Sequence, residues 1–383
     1  MKGFPMQAKA PNPWSFHNPA QVHFGAGCRS ALAPRVQGRR ALVVTTRRGR
    51  RQFMADPVLS GLDAQLDWVE SVTPNPGLAE TQAEIDRLAS QQFDCVIAFG
   101  GGSAMDAAKA LAAALAPGLA RRNLAALIAD PGARLSLPLL PIHAVTTTSG
   151  TGAEVTPFAT IWDHAAKKKL SLASPRLFPQ TAIVDPELTY GLPRDATFST
   201  GLDALNQALE SVWNRNRSPM TTLMAGRAVG LALSALPRLH ASLDDHAARA
   251  EIAEASLLAG LCISQTRTAI CHSISYPLTA HFGVPHGYAC AYTMGAVARL
   301  CLRDAPECLR DIAPLTGHAN AETLVDALQS VLKLLDLRAR LRAQLGDDDA
   351  ILALRGEMFT PGRSDNFVLP VTHEMLADVL ADS

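Results

Sequence analysis

The sequence has no excess of charge, no paired-cysteine motif and no apolar run long enough to cross a bilayer. Lysine plus arginine and aspartate plus glutamate each total 35 in 383 residues, whereas a chain built to neutralise many phosphates carries a basic surplus. Nucleic acid is not expected as a main partner, although a local basic cluster can still hold one anion. The seven cysteines (28, 95, 262, 271, 290, 301 and 308) are odd in number, scattered and free of any C-x-x-C pair. That pattern suits a reducing, cytoplasmic setting. The N-terminal stretch 1–19 is broken by prolines and polar residues where a secretion signal needs an uninterrupted apolar segment. The longest apolar run, 110–120, contains Pro117-Gly118 and falls short of the roughly 20 residues a membrane helix needs. It predicts a buried helix, and no membrane partner is expected. No repeat of fixed period, low-complexity tract or long linker is present.

What is present is 48% hydrophobic residues, enough for two packed domains at the usual roughly 100–200 residues per core. In the first half short apolar runs alternate with helical patterns. Residues 41–46, 95–100, 137–145 and 182–186 read as strands, and 78–91 and 104–115 as helices between them. That rhythm predicts a parallel sheet with covering helices. After Pro193 strand signals nearly vanish, and helical patterns run over 201–212, 220–236, 247–269 and 323–345. The expectation is an α/β domain over 1–192 and an all-helical domain over 193–383.

The clearest local signal is Gly100-Gly101-Gly102-Ser103, where an apolar strand runs into three glycines and then a helix carrying Asp106. Glycines without Cβ atoms let backbone N–H groups approach an anion, and the helix N-terminus adds partial positive charge. This predicts a pyrophosphate site, or else a plain glycine-rich turn. A second turn, Thr146-Thr147-Thr148-Ser149-Gly150-Thr151-Gly152, suits the wall of a nucleotide cleft. Neither is the G-x-G-x-x-G fingerprint. Phe24-Gly25-Ala26-Gly27 reads as a turn beside the same cleft or as a hairpin. After the strand at 41–44 come Thr45, Thr46 and then Arg47, Arg48, Arg50 and Arg51. A carboxylate there would repel a 2′-phosphate, whereas a hydroxyl followed by arginines accepts one, favouring NADPH over NADH; the alternative is a solvated basic loop.

In the second half Asp203 and Gln207 are four apart, as are His272 and Tyr276, and His286 follows in Val284-Pro285-His286-Gly287. Four-residue spacing puts each pair on one helix face. One Asp and two His suit a divalent metal, or simply hydrogen-bonded structure.

Five motifs, GGGSAMDAAK, TTTSGTGAEVTPFA, KKKLSLASPRLFPQTAIVDP, TGLDALNQALES and HSISYPLTAHFGVPHG, occur in the order found in the iron-containing (group III) alcohol dehydrogenases. By these motifs the chain resembles that family over nearly its whole length. The resemblance implies an N-terminal dinucleotide-binding α/β domain, a C-terminal helical domain with dehydroquinate synthase-like architecture, a cleft between them and a homodimer. It implies NAD(P)H and a divalent metal, Fe²⁺ or Zn²⁺, at Asp203, Gln207, His272 and His286. Gln207 stands where relatives carry a histidine, and an amide oxygen is a poorer donor than imidazole, so a weak, three-ligand or metal-free site follows. Tyr276 stands where relatives often have a proton-relaying histidine. Lys169 matches a basic residue near the nicotinamide ribose.

Within the family, PFATIWDHAAKKKLSL, ALESVWNRN and SQTRTAICHSISYPLTAHFGVPHG look most like the members that reduce phosphonoacetaldehyde. That likeness implies a small anionic aldehyde as partner and a guanidinium or ammonium pocket for it. Arg267 is the first candidate. On a continuous helix it would stand about 7.5 Å from His272 along the axis and roughly 140° round it. Arg215, Arg217 and Arg363 follow. The competing readings are another small aldehyde, a dehydroquinate synthase-like lyase, and a binding protein without catalysis.

Overall fold

The computed structural model describes residues 13–383 apart from 119–121, 131, 133–135, 137 and 347. The N-terminal stretch through residue 12, the end of the 110–120 run and Leu137 lie outside the described residues. Six strands form one parallel sheet: β1 (Gln21–Phe24), β2 (Arg39–Val44), β3 (Ala64–Val69), β4 (Cys95–Gly100), β5 (Ile142–Thr146) and β8 (Thr181–Val184). Alternating residues serve two cores. Leu42 and Val44 face one cluster with Val96 and Ala98, while Ala41 and Val43 face another with Ile97 and Phe99. With both faces covered, the strands read as unbroken apolar runs rather than alternating ones.

A two-stranded antiparallel hairpin, β6 (Phe158–Asp163) and β7 (Lys168–Ala173), sits apart from the sheet. The pattern at 137–145 yields a strand only from Ile142, after the prolines at 138 and 141 that remove ladder donors. The helix beginning at Gly102 ends at Ala114, before Pro117-Gly118. β1 is no hairpin arm: it pairs in parallel with β8, and Gly25 N–H donates to Val184 O at the strand end.

Beyond β8 the structure is helical. Long helices span Arg194–Val212, Pro219–Ala241 and His246–Thr266, and shorter ones Ile270–Phe282, His286–Tyr292 and Met294–Asp304. They share one large core running from Phe198 to Leu380. Two helical expectations need correction. The 247–269 pattern ends at Thr266, because Arg267 turns to a left-handed φ of 60°. The 323–345 pattern is two helices, Ala321–Leu334 and Leu337–Leu345, separated by Asp336 at φ 47°. Both breaks occur at non-glycine residues, where sequence gives little warning. Among the described residues no helix is long and apolar enough to cross a membrane.

Candidate active site

The strand order β1-β8-β5-β4-β2-β3 reverses between β2 and β4, because the chain leaves β2 for β3 on one side and returns to β4 on the other. Such a switch point opens a crevice at the C-terminal strand ends. Gly100 (φ 153°) ends β4 there and accepts from Thr147 N–H at 2.9 Å. A Cβ on Gly101 would lie 2.7 Å from Thr148 Oγ1, and one on Gly102 2.6 Å from the Thr151 methyl. The two turns therefore touch, and only glycine keeps the backbone N–H groups accessible. Ser103 Oγ accepts from Asn75 N–H at 3.3 Å. Thr146 and Thr147 are buried, and the buried Ser149 Oγ has no hydrogen-bond partner. These features fit a dinucleotide.

Thr46 caps the Arg47–Ala55 helix by accepting from Gly49 N–H at 2.9 Å. The arginines that follow divide. Arg48 donates to Gly191 O and Arg50 pairs with Glu70 at 2.9 Å. Arg47 is exposed at the helix start, with no ion pair among the described residues.

Across the crevice, Asp203 and Gln207 lie one turn apart on the buried face of the Arg194–Val212 helix. His272 sits in the first turn of the Ile270–Phe282 helix and His286 at the start of the next. Ligand atoms of Asp203, His272, His286 and Cys290 all lie within 4.8 Å of one another. His272 Nε2 stands 3.4 Å from Asp203 Oδ1. Its Nδ1 is 2.6 Å from Glu210 Oε2, a contact in which Nδ1–H donates to the carboxylate, so that Nε2 is the atom that binds a cation once its own proton is lost. Glu210 also accepts from the backbone N–H groups of Ala269 (2.8 Å) and His272 (3.1 Å), so one carboxylate caps the helix and orients its histidine. Asp203 Oδ1 and Gln207 Oε1 are buried yet accept no hydrogen bond. Burial would raise the Asp203 carboxyl, but the His272 contact, the two histidine charges and the Gln207 amide outweigh it and hold it below its ordinary value. This donor set with its unsatisfied oxygens fits a divalent cation.

Tyr276 lies one turn beyond His272, stacked at 6.3 Å on the His286 ring. Lys169, on β7, places its ammonium 3.7 Å from the centre of the Tyr276 ring, and Arg363 Nε donates to the Tyr276 hydroxyl at 3.2 Å. Burial pushes the phenol up, but Lys169, Arg363 and His272 prevail and bring it down to about 6. Asp106 extends the same electrostatic field: burial carries its carboxyl up to about 6 against Lys109, the Thr160 backbone, Lys169 and His286.

Arg267 stands not on a helix but at the break before it, exposed and within electrostatic reach of Arg363. The helical angle of 140° from His272 does not apply. Arg215 and Arg217 are engaged with the chain around them. Arg215 Nε donates to Phe367 O at 2.7 Å, and Arg217 donates to Val212 O at 3.3 Å and faces Asp311. Arg363, ranked behind Arg267 by sequence, is the arginine that reaches Tyr276. Glu210 and Cys290 escaped notice, although each lay within or next to a motif, and Cys290 follows His286 by four residues.

Residues 19–186 match the iron-containing alcohol dehydrogenase family, and residues 197–354 match its C-terminal domain. The chain belongs to this family, and it is an oxidoreductase of the alcohol dehydrogenase and aldehyde reductase type. It is 39% identical over 292 residues to a phosphonoacetaldehyde reductase of Streptomyces viridochromogenes, covering 75% of this chain and 73% of the relative. A 1,3-propanediol dehydrogenase of Citrobacter freundii is 31% identical over 84% of each chain. The crystal structure of a sulfoacetaldehyde reductase from Bifidobacterium kashiwanohense in complex with NAD⁺ superposes with TM-score 0.87 at 30% identity, covering 97% of this chain and 99% of that one.

Proposed function

We propose that the chain reduces a small anionic aldehyde to a primary alcohol, phosphonoacetaldehyde to 2-hydroxyethylphosphonate, with NADPH and a divalent metal. The observation that carries this reading is the gathering of Lys169 and Arg363 around the Tyr276 phenol, with Arg267 near Arg363. Such a surplus of cations beside a carbonyl-activating site suits a substrate that brings its own negative charge. The 39% identity to a phosphonoacetaldehyde reductase supports the same reading. The fold shared with a sulfoacetaldehyde reductase supports a second one, the sulfonate analogue, which carries one charge fewer. Arg47 at the end of β2 favours the 2′-phosphate of NADPH.

When bound, the reduced nicotinamide supplies hydride and the divalent cation an electrophile for the carbonyl oxygen. The N–H groups at Gly101 and Gly102 orient the pyrophosphate, with Thr46, Thr147, Ser149 and Asp106 around the rest of the dinucleotide. Asp203, His272 and His286 hold the cation, with the Gln207 amide one turn along the helix from Asp203. Lys169 and Arg363 fix the anionic end of the aldehyde, which sets the carbonyl against Tyr276. The Tyr276 hydroxyl supplies a proton to the new alcohol oxygen from its protonated fraction, which grows as pH falls toward 6. A homodimer completes the reading, checked by light scattering at twice 40.7 kDa, in a reducing, cytoplasmic setting that the seven unpaired cysteines support.

Steady-state kcat/KM with phosphonoacetaldehyde, sulfoacetaldehyde, propanal and succinic semialdehyde, each with NADPH and NADH, tests it. The phosphonate with NADPH is expected to lead propanal by about 100-fold, the worth of two charge-assisted hydrogen bonds. Arg363→Ala removes most of that lead and, because Arg363 also holds the Tyr276 hydroxyl, slows propanal by a smaller factor. Equal rates on charged and neutral aldehydes reject the anionic substrate, and absence of net NADPH consumption rejects reduction altogether.

A further inference from the structure

The metal set implied by the resemblance, with Gln207 as fourth ligand, leaves one buried group without a task. Cys290 lies on the short His286–Tyr292 helix, one turn after His286, so both side chains project from one face. Its Sγ is 3.7 Å from His286 Nε2 and 3.8 Å from His286 Nδ1. His272 Nε2 and Asp203 Oδ1 stand 3.4 Å apart. A tetrahedral cation with bonds of about 2.0–2.1 Å to nitrogen or oxygen and about 2.3 Å to sulfur has ligand–ligand edges of roughly 3.3–3.6 Å. The Asp203–His272 and His286–Cys290 separations are close to those edges before any ion is added, and all four ligand atoms lie within 4.8 Å of one another. The cluster is fully internal apart from the half-buried His286, and Asp203 Oδ1, 2% exposed as a residue, lacks a donor.

We infer that Cys290 is a metal ligand in this chain, so that the cation is held by Asp203, His272, His286 and the Cys290 thiolate, and Gln207 is a positioning residue for Asp203. The inference rests on the presence of a divalent metal in the proposed function but not on the identity of the aldehyde. It accounts for Gln207: where relatives offer an imidazole from the Arg194–Val212 helix, this chain offers a sulfur donor from the His286–Tyr292 helix of the same cluster. Binding displaces the thiol proton to solvent as the S–metal bond forms, with no change of oxidation state. A thiolate is a soft donor and shifts preference from Fe²⁺ toward Zn²⁺ or Co²⁺. Asn206, which donates to the backbone carbonyl of Cys290 at 3.3 Å, ties the ligand's helix to that of Asp203.

Cobalt substitution tests this without a turnover assay. The wild-type enzyme is stripped of metal, titrated with Co²⁺ and examined for near-ultraviolet sulfur-to-cobalt charge transfer, and Zn²⁺ affinity is measured by competition. The expected spectrum contains thiolate absorption that Cys290→Ala abolishes and Gln207→Ala retains. Zn²⁺ affinity in Cys290→Ala is expected to fall by more than the roughly 10–100-fold that loss of a supporting hydrogen-bonding group costs, with Gln207→Ala inside that range. Wild-type Co²⁺ enzyme without thiolate absorption overturns the inference, as does Cys290→Ala with unchanged affinity or a larger loss in Gln207→Ala. The wild-type spectrum needs no variant to fold. Aldehyde turnover, assayed separately, reports on the proposed reaction: a thiolate spectrum with no reduction sinks the reaction alone, and reduction without that spectrum sinks the ligand alone.

Discussion

Glu210 shows how little of a metal centre's support is visible from ligand spacing. It is wholly buried, and its carboxylate is shared among two backbone N–H groups and the Nδ1 of His272. Changing Glu210→Gln keeps the shape but removes the charge and one acceptor oxygen. Metal affinity is expected to fall by about 10–100-fold, the usual cost of disturbing a histidine's hydrogen-bonding partner, as read by competition with a chelator. Unchanged affinity would show that the helix cap alone fixes His272. Tyr276→Phe removes the hydroxyl proposed to supply the proton without removing its ring, so reductive kcat is expected to drop by about 10²-fold or more while NADPH affinity holds. Fluorescence titration of the cofactor beside steady-state kinetics separates the two; a parallel loss of both makes Tyr276 a packing residue. Asp203, His272 and His286 were legible because each sits in a motif of fixed order. Arg363 was named only behind Arg267, since its contact with Tyr276 spans 87 residues of chain. Cys290 could have been found by the i, i+4 rule already applied to Asp203.

At the scale of elements, the site depends on two helices packed closer than side chains permit. A Cβ on Gly287 would collide with the backbone carbonyl of Ser199 on the Arg194–Val212 helix. This contact seats His286 and Cys290 against Asp203. Gly287→Ala therefore pushes the ligand helix away, at a cost of about 1–3 kcal/mol of overpacking strain, and is expected to lower both melting temperature and bound-metal stoichiometry. Full stoichiometry by elemental analysis in a destabilised variant would separate the helix contact from the ligand geometry. Strands β2, β4 and β8 were readable because their buried faces make unbroken apolar runs. The β6–β7 hairpin was hidden by Lys167-Lys168-Lys169, which break its alternation to aim one ammonium at Tyr276. Arg267 was placed on a helix because its left-handed φ of 60° leaves no glycine as a marker; the break is held instead by Asn214 and Asn366, which donate to the carbonyls of Arg267 (3.3 Å) and Thr268 (2.9 Å) from elsewhere in the chain.

For the whole molecule, the α/β half carries ionisable groups in its interior that set how stability responds to pH. Lys109, 1% exposed, donates to the carbonyls of Thr156 and Phe158, each at 2.8 Å. Glu154 lies buried nearby. Burial drives the Glu154 carboxyl up from 4.5 to about 7 against its own backbone contact and Lys109. Burial likewise takes the Lys109 ammonium down from 10.5 to about 8, with Asp106 and Glu154 opposing. Glu154 binds its proton more tightly folded than unfolded, so its contribution is complete below about 4.5 and is lost as pH rises through 7. Lys109 has the opposite sign: its contribution is present above 10.5 and is lost as pH falls through 8. Glu154→Gln removes the first titration and leaves a neutral group of the same shape. The variant is therefore expected to gain on the wild type between pH 5 and pH 8, by an amount on the order of 2–3 kcal/mol at about 1.4 kcal/mol per pKa unit. Melting curves of both proteins at the two pH values check this. A difference in melting temperature that stays constant, or shrinks toward pH 8, would mean that Glu154 is ionised throughout and that its attraction to Lys109 outweighs the cost of burying its charge.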